Sequence, residues 1–233
     1  MSHATRSAAG SVRRHVLAAL AALSWMAGAF GADETNSSSP PSEAEQLLFV
    51  QPHLSNIEPP RTLHYRYVRT TPRGRTEDDV TLSFTESGPH QCCSVHGQYL
   101  SGAQALNLPD MAEARSNPVL LYFLEHQVRQ LQQRTGGNAA HFRRIARMSI
   151  AESATITPGS IQWQGKEVAA RTVRVKPYVN DPYRQRFAAE AGTEYSFVLA
   201  DAVPGAVYQL RAAVTDPRAA REEVLTLDDE QPK

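Results

Sequence analysis

The stretch Leu63-His64-Tyr65-Arg66-Tyr67-Val68-Arg69 sets an apolar side chain at every second position in its first half. Such alternation is typical of a strand with one buried face. A second stretch, Val80-Thr81-Leu82-Ser83-Phe84, repeats the pattern, and the polar connection between them contains Pro72 and Gly74. The two stretches therefore predict an antiparallel hairpin.

The same alternation returns in the last third of the chain. There it predicts two further hairpins, one pairing 161–163 with 168–175 and the other pairing 195–199 with 208–212. A poorer strand is expected over 91–100.

Two helices are predicted between the strand groups. Asn117-Pro118 combines a preferred N-cap residue with a preorganised first residue, and apolar residues follow at helical spacing until Gly136-Gly137 ends the helix. A second, shorter helix is expected over 141–151. Strands, then helices, then strands indicate an α+β fold: a curved antiparallel sheet, open as a half-barrel, packed on one long and one short helix.

The N-terminus has the order of a secretory signal peptide. Arg13 and Arg14 precede a short apolar run that ends in small residues near Ala29 and Gly31. We expect cleavage there and a periplasmic or secreted protein with no transmembrane span in the mature chain. Two alternatives stay open: an uncleaved anchor helix, and export by the twin-arginine route, because Arg13-Arg14 fits the core of that signal.

Four segments follow from this order. We expect a signal peptide over 1–31, a disordered tether over 32–45, a single α+β domain over 46–215 and a flexible charged tail over 216–233. The tether is polar and rich in proline, and such a segment cannot offset its ordering entropy by burial.

Composition and motifs exclude several function classes. The chain has 24 basic and 24 acidic residues, so no basic field indicates a nucleic-acid partner. Signatures of hydrolases, zinc proteases, phosphate loops and redox enzymes are missing, so we predict no catalytic residue, cofactor or metal and lean away from an enzyme. Histidines such as His126 and His141 are expected in solvent. The adjacent Cys92 and Cys93 exclude a disulfide framework, and are expected to be a small buried side chain and its neighbour, with redox or metal use as the alternative.

Inward-facing aromatic side chains are the candidate contacts for an apolar ligand, although filling a core is their commoner role. If the sheet curls into an open barrel, they would line its cavity. They are Tyr65, Tyr67, Phe84, Trp163, Tyr195, Phe197 and Tyr208.

Polar candidates for recognition form two groups. Around the corner between the predicted helices stand Glu125, Arg129, Arg143 and Arg144, which are either a solvated helix face or a clamp for an anion. The second group, Asp181, Tyr183 and Arg184, belongs to the loop around Asn180-Asp181-Pro182. A rigid loop on a sheet scaffold is a common place for function, although a structural corner explains it as well.

Several short motifs carry a resemblance over most of residues 46–215. At Asn117-Pro118-Val119, Phe142-Arg143-Arg144, Pro177 to Pro182 and Asp201 to Gly205, the chain resembles a family of uncharacterised exported proteins of proteobacteria. The resemblance implies a periplasmic address and carries over no activity. The order of elements is also similar to that of half-barrel lipoprotein carriers, which is an analogy of fold alone.

Two functions are therefore weighed. The leading prediction is non-enzymatic binding of a hydrophobic small molecule, or of a segment of an envelope protein, held by the curved sheet against the helix 118–134. The alternative is a hydrolase or transferase that acts on envelope material at the Asn180-Asp181-Pro182 loop.

Overall fold

Eight antiparallel strands form one open sheet in the computed structural model, which describes residues 40–88 and 91–228. The order across the sheet is β3-β2-β1-β8-β7-β6-β5-β4, so β3 and β4 are its edges. The strands are β1 Arg61–Thr71, β2 Gly74–Gly88, β3 Gln91–Tyr99, β4 Thr155–Trp163, β5 Lys166–Val175, β6 Glu194–Leu199, β7 Val207–Val214 and β8 Arg221–Leu227. The predicted α+β fold with an antiparallel sheet is confirmed.

The hairpin predicted from the first two stretches forms, and its register places apolar residues opposite each other. Leu63 of β1 lies opposite Leu82 of β2, and Tyr65 lies opposite Val80. Because these pairs face the same side, their side chains are buried together, whereas the intervening residues are less buried. The alternation that predicted the strands therefore marks the face of the sheet that carries the core.

The end of the chain differs from the flexible tail predicted over 216–233. Arg221–Leu227 forms β8, which lies in the middle of the sheet and pairs with β1 and β7. Its buried face carries Arg221 and Glu223 beside Leu225 and Leu227, so two of its four inward residues are charged. That composition hid the apolar alternation on which the strand predictions depended.

The long helix α2 spans Val119–Thr135, one residue later at each end than the predicted 118–134. The side-chain oxygen of Asn117 accepts a hydrogen bond from the backbone N–H of Val119, 3.1 Å away, and its amide donates to the hydroxyl of Tyr65. At the other end Gly136 adopts the left-handed conformation, φ 67°, that glycine tolerates best. The helix is thus capped at one end by a residue that also holds it to β1.

A second helix and an N-terminal helical segment cover the side of α2 that faces away from the sheet. Helix α3, Ala139–Ser153, is longer than the predicted 141–151. The segment consists of α1, Glu43–Glu45, a π-turn over Gln46–Val50 and a 3-10 turn over His53–Asn56. Ser42 and Glu45 form a reciprocal capping box, so the predicted tether over 32–45 gives way to ordered structure by this point.

The ring of His53 joins this N-terminal segment to α2. Its Nε2 lies 2.8 Å from the carbonyl oxygen of Leu47, and its Nδ1 accepts a hydrogen bond from the backbone N–H of Asn117. Burial lowers the pKa of His53, and only a neutral ring with its proton on Nε2 satisfies both contacts.

The two adjacent cysteines lie on the edge strand β3. Cys93 is fully buried and Cys92 is partly buried, as alternation on a strand requires. Their sulfur atoms are joined to each other in a vicinal disulfide across a cis peptide bond. A bond between two adjacent cysteines is not a framework of disulfides, and the pattern of the sequence did not predict it.

The predicted signal peptide and most of the tether lie outside the described residues. Over 40–88 and 91–228, no helix has both the length and the apolar character that crossing a membrane requires.

Candidate functional site

Helix α2 is apolar on two sides in its first half. Its inner face packs on the sheet: the ring of Phe123 stands edge-on to those of Tyr195 and Phe197 at 6.1 Å. Its outer face carries Leu121, Leu124 and Val128. A helix that is apolar all round must be covered on every side to hide its apolar surface from water.

The cover over the outer face is incomplete. Between α2, α3 and the N-terminal segment lies a cleft of about 560 Å³, which we call the α2 groove. Its apolar lining is Phe49, Leu108, Leu121, Tyr122, Leu124, Val128, Ala146 and Ile150. Val128 and Ile150 are buried at its base, whereas the side of Leu121 is open to solvent, with 49% of the residue exposed.

Charged side chains form the rim of the α2 groove. Arg143 donates hydrogen bonds to both carboxylate oxygens of Glu125, at 2.7 and 2.8 Å, and Arg129 donates a third. These bonds, with that from Arg143 contributing most, lower the pKa of Glu125. Arg147 also lines the groove and has no carboxylate within 4.0 Å among residues 40–88 and 91–228. An apolar interior with a charged rim suits a ligand that has an apolar chain and a polar end.

Three of the four charged residues predicted around the helix corner thus come together. Glu125, Arg129 and Arg143 form one cluster. Both arginines pair with the carboxylate of Glu125, so the predicted anion clamp already contains an anion of the protein itself. Arg144 points elsewhere: one of its nitrogens contacts the sulfur of Met148 at 3.5 Å, and the residue lines a different cleft.

The seven aromatic residues predicted as ligand contacts are placed in the protein interior for the most part. Tyr65, Tyr67, Phe84, Tyr195 and Phe197 are among the largest fully buried side chains, and Trp163 stacks edge-on with the partly buried Tyr208. None of the seven lines the α2 groove or the clefts described below. Their role as ligand contacts stays a prediction; three of them, Tyr67, Tyr195 and Phe197, contact rings on the inner face of α2.

The loop around Asp181 is tied to α3. The buried carboxylate of Asp181 lies 2.7 Å from Nε2 of His141 and accepts a hydrogen bond from the backbone N–H of Tyr183. His141, Arg144 and Tyr183 line a cleft of about 570 Å³ beside this pair, whereas Arg184 is exposed on the adjoining turn. The carboxylate is not open to solvent, so any chemistry at this loop would use His141, and the enzymatic alternative stays a prediction.

A buried polar network was missed because its members are far apart in sequence. The expectation that His126 lies in solvent is wrong: it is 1% exposed, its ring lies between those of Tyr67 and Tyr99, and its Nε2 is 3.4 Å from Glu223. Gln127 donates a 2.7 Å hydrogen bond to the same carboxylate. Burial favours the neutral acid, but the contacts with His126, Gln127 and Arg221 outweigh it and lower the pKa of Glu223 to about 2.

Comparisons with known proteins identify no family. No family model matches the chain, and no curated protein matches its sequence. Among solved structures, the chain is similar to the crystal structure of the Mycobacterium tuberculosis lipoprotein LppX, with 8% sequence identity and a TM-score of 0.33 over 72% of this chain and 84% of that chain. A likeness of this degree carries no argument about function.

Proposed function

We propose that the protein binds a hydrophobic ligand, a molecule with an extended apolar chain, in the α2 groove. The observation that carries the proposal is the exposed outer face of α2, where Leu121 and Leu124 face a cleft instead of a packed partner. A volume of about 560 Å³ falls in the range of natural small-molecule sites. The leading hypothesis from the sequence places the ligand between the sheet and the helix 118–134. The present proposal keeps the helix as a contact surface but uses its outer face, which points away from the sheet.

Burial of the exposed leucines supplies the driving force. Covering one leucine side chain removes apolar surface from water and contributes about 1.5 to 3 kcal/mol. Rim residues such as Arg147 would hold the polar end of the ligand at the surface, where water also solvates it. Neither element requires a chemical step, which agrees with a binding protein rather than an enzyme.

A fluorescent probe tests this assignment. N-phenylnaphthylamine, which fluoresces in apolar surroundings, should bind the purified protein and be displaced by decanoate. Leu121→Gln should weaken probe binding by about tenfold, because it removes the burial of one leucine. Since Leu121 is already half exposed, the variant should keep its fold.

Val179 provides the matched control. It is also an exposed apolar residue, 40% accessible, but it lies in the Pro177–Asp181 corner and not in the α2 groove. Val179→Gln should bind the probe as the parent protein does. Equal loss in both variants, or no displaceable binding in the parent protein, would contradict a ligand site in the groove.

The place of this binding follows from the predicted signal peptide, which lies outside the described residues. We infer that the ligand is met in the periplasm or outside the cell, after cleavage near Ala29 to Ala32.

A further inference from the structure

A second, chemically opposite cleft lies at the end of the sheet where β1 turns into β2. Its volume is about 1050 Å³, and it shares no residue with the α2 groove. The β1–β2 turn, the end of α2, the turn at Arg184–Phe187 and the segment before β8 form its walls. Of the described residues, its charged lining consists of Arg69, Arg73, Arg134, Arg186, Arg218, Arg221 and a single acid, Glu190. We call it the arginine cleft.

The one acid in the lining is already saturated. Arg134 donates to Oε1 of Glu190 at 3.0 Å, and Arg221 donates to both oxygens at 3.0 and 2.7 Å. Glu190 and Arg221 are both buried, so their bidentate contact is a fixed part of the wall. Glu190 therefore has little capacity left to neutralise the other arginines of the cleft.

The remaining arginines are neutralised only in part. Arg218 pairs with Asp216, whereas Arg69 lies 3.7 Å from Glu223, and its buried Nε has no hydrogen-bond partner in the part of the chain that the structure describes. Among the described residues, no carboxylate lies within 4.0 Å of the guanidinium groups of Arg73 and Arg186. Counting described residues, the six arginines of the cleft thus share three carboxylate partners, Glu190, Asp216 and Glu223, and the surplus positive charge lies on one concave surface.

Arginine side chains in the wall of the arginine cleft lie close enough to affect one another's pKa. The pKa of Arg134 is lowered, first by burial and then by the positive charge of Arg221. Arg186 lies over the ring of Tyr183, 5.2 Å from its centroid, and this contact holds a cation without neutralising it. A mobile counter-ion, or a ligand with several negative charges, would relieve this repulsion.

We propose that the arginine cleft binds a ligand that carries at least two phosphate groups. Guanidinium groups match phosphate oxygens with paired, charge-assisted hydrogen bonds, and within residues 40–88 and 91–228 no side chain accepts from the guanidinium donors of Arg73 and Arg186. The volume exceeds what one phosphate ion fills, so the phosphates belong to an oligophosphate or to the head group of a larger molecule. Both sources present the same chemistry to the arginines.

Titration calorimetry with tripolyphosphate tests the site directly. The parent protein should bind the probe at low ionic strength, and affinity should fall steeply as salt is added. Arg73→Gln and Arg186→Gln should each weaken binding by about tenfold, the effect of losing one charge-assisted contact. Neither residue is buried, so both variants should fold.

Arg174→Gln is the matched control, because Arg174 is an exposed arginine of β5 outside the cleft. A loss of affinity as large as that of the cleft variants, or no binding by the parent protein at low ionic strength, would overturn the proposal. Sedimentation with phosphatidylcholine vesicles, with and without cardiolipin, separates the two sources. Cardiolipin-dependent binding that tripolyphosphate competes away identifies a lipid head group, whereas tripolyphosphate binding without vesicle binding identifies a soluble oligophosphate.

Discussion

The inner and outer faces of helix α2 have similar apolar residues but different surroundings. On the inner face Phe123 is fully buried against two aromatic rings of β6, and Gln127 reaches the carboxylate of β8. On the outer face Leu121 remains half exposed above a cleft. The inner face stabilises the fold, whereas the outer face holds apolar surface that the fold itself leaves uncovered. The comparison therefore separates residues needed for stability from residues available for binding.

The largest difference between the faces should appear in stability. Phe123→Ala should lower the free energy of unfolding by about 4 kcal/mol, because it removes a ring from the packed core and leaves a cavity. Leu121→Ala should change it by less than about 0.5 kcal/mol, since the side chain is exposed. Urea denaturation followed by circular dichroism measures both. Similar losses in the two variants would show that the outer face is packed as tightly as the inner one.

The polar part of the inner face should be nearly as sensitive. Glu223→Gln should cost about 3 kcal/mol, because it leaves Arg221 and Arg69 beside a neutral group in the interior. Glu222→Gln is the control: Glu222 is the next residue on β8, its side chain is 44% exposed, and it pairs with Arg211 at the surface. Glu222→Gln should lower the free energy of unfolding by less than about 1 kcal/mol. Equal midpoints in urea for the two variants would contradict a structural role for the buried network.

The contact at His53, which holds the N-terminal wall of the α2 groove, should make stability depend on pH. The pKa of His53 is lowered by burial, so near its ordinary value of 6.5 the unfolded chain binds a proton that the folded chain does not. Stability should therefore fall as the pH drops through 6.5, because the unfolded chain gains a proton there that the folded chain does not. Urea midpoints at pH 7.5 and 5.5 measure the effect, and His53→Gln should lose that part of the pH dependence. An unchanged pH dependence in the variant would assign it to other groups.

The sequence predicts the fold well where each element carries its own pattern. Two such local patterns predict elements that the structure contains. The alternation at Tyr65 and Tyr67 predicts β1, and Asn117 and Gly136 mark the two ends of α2. Strand β8 was missed because Arg221 and Glu223 occupy buried positions that are normally apolar. Their burial depends on partners such as Glu190 and His126, which only the folded chain brings near.

The candidate site was predicted less well, for a related reason. The strand alternation predicts that the seven aromatic side chains face inward and contact a ligand. In the structure, α2 packs against that side of the sheet instead. Residues 119–124 are all apolar, so in a helix their side chains point to every side and cannot all be buried against the sheet. This run is the feature of the sequence that indicates a second apolar face on α2. How much of the outer face α3 and the segment at Phe49 would cover is a tertiary property, and no local pattern determines it.

The central claim is that an apolar ligand binds the outer face of α2 and not the side of the sheet that α2 covers. Locating the residues that a ligand contacts tests this claim most directly. Isotope-labelled protein is titrated with decanoate, and the backbone amide resonances of α2, α3 and the strands are followed by nuclear magnetic resonance. Binding in the α2 groove predicts shifts at Leu121, Leu124 and Ala146 that saturate, and that need about tenfold more decanoate to saturate in Leu121→Gln, with the resonances of Tyr65 and Phe84 unmoved. Saturable shifts centred on those two strand residues, or no saturable shift at all, would contradict it.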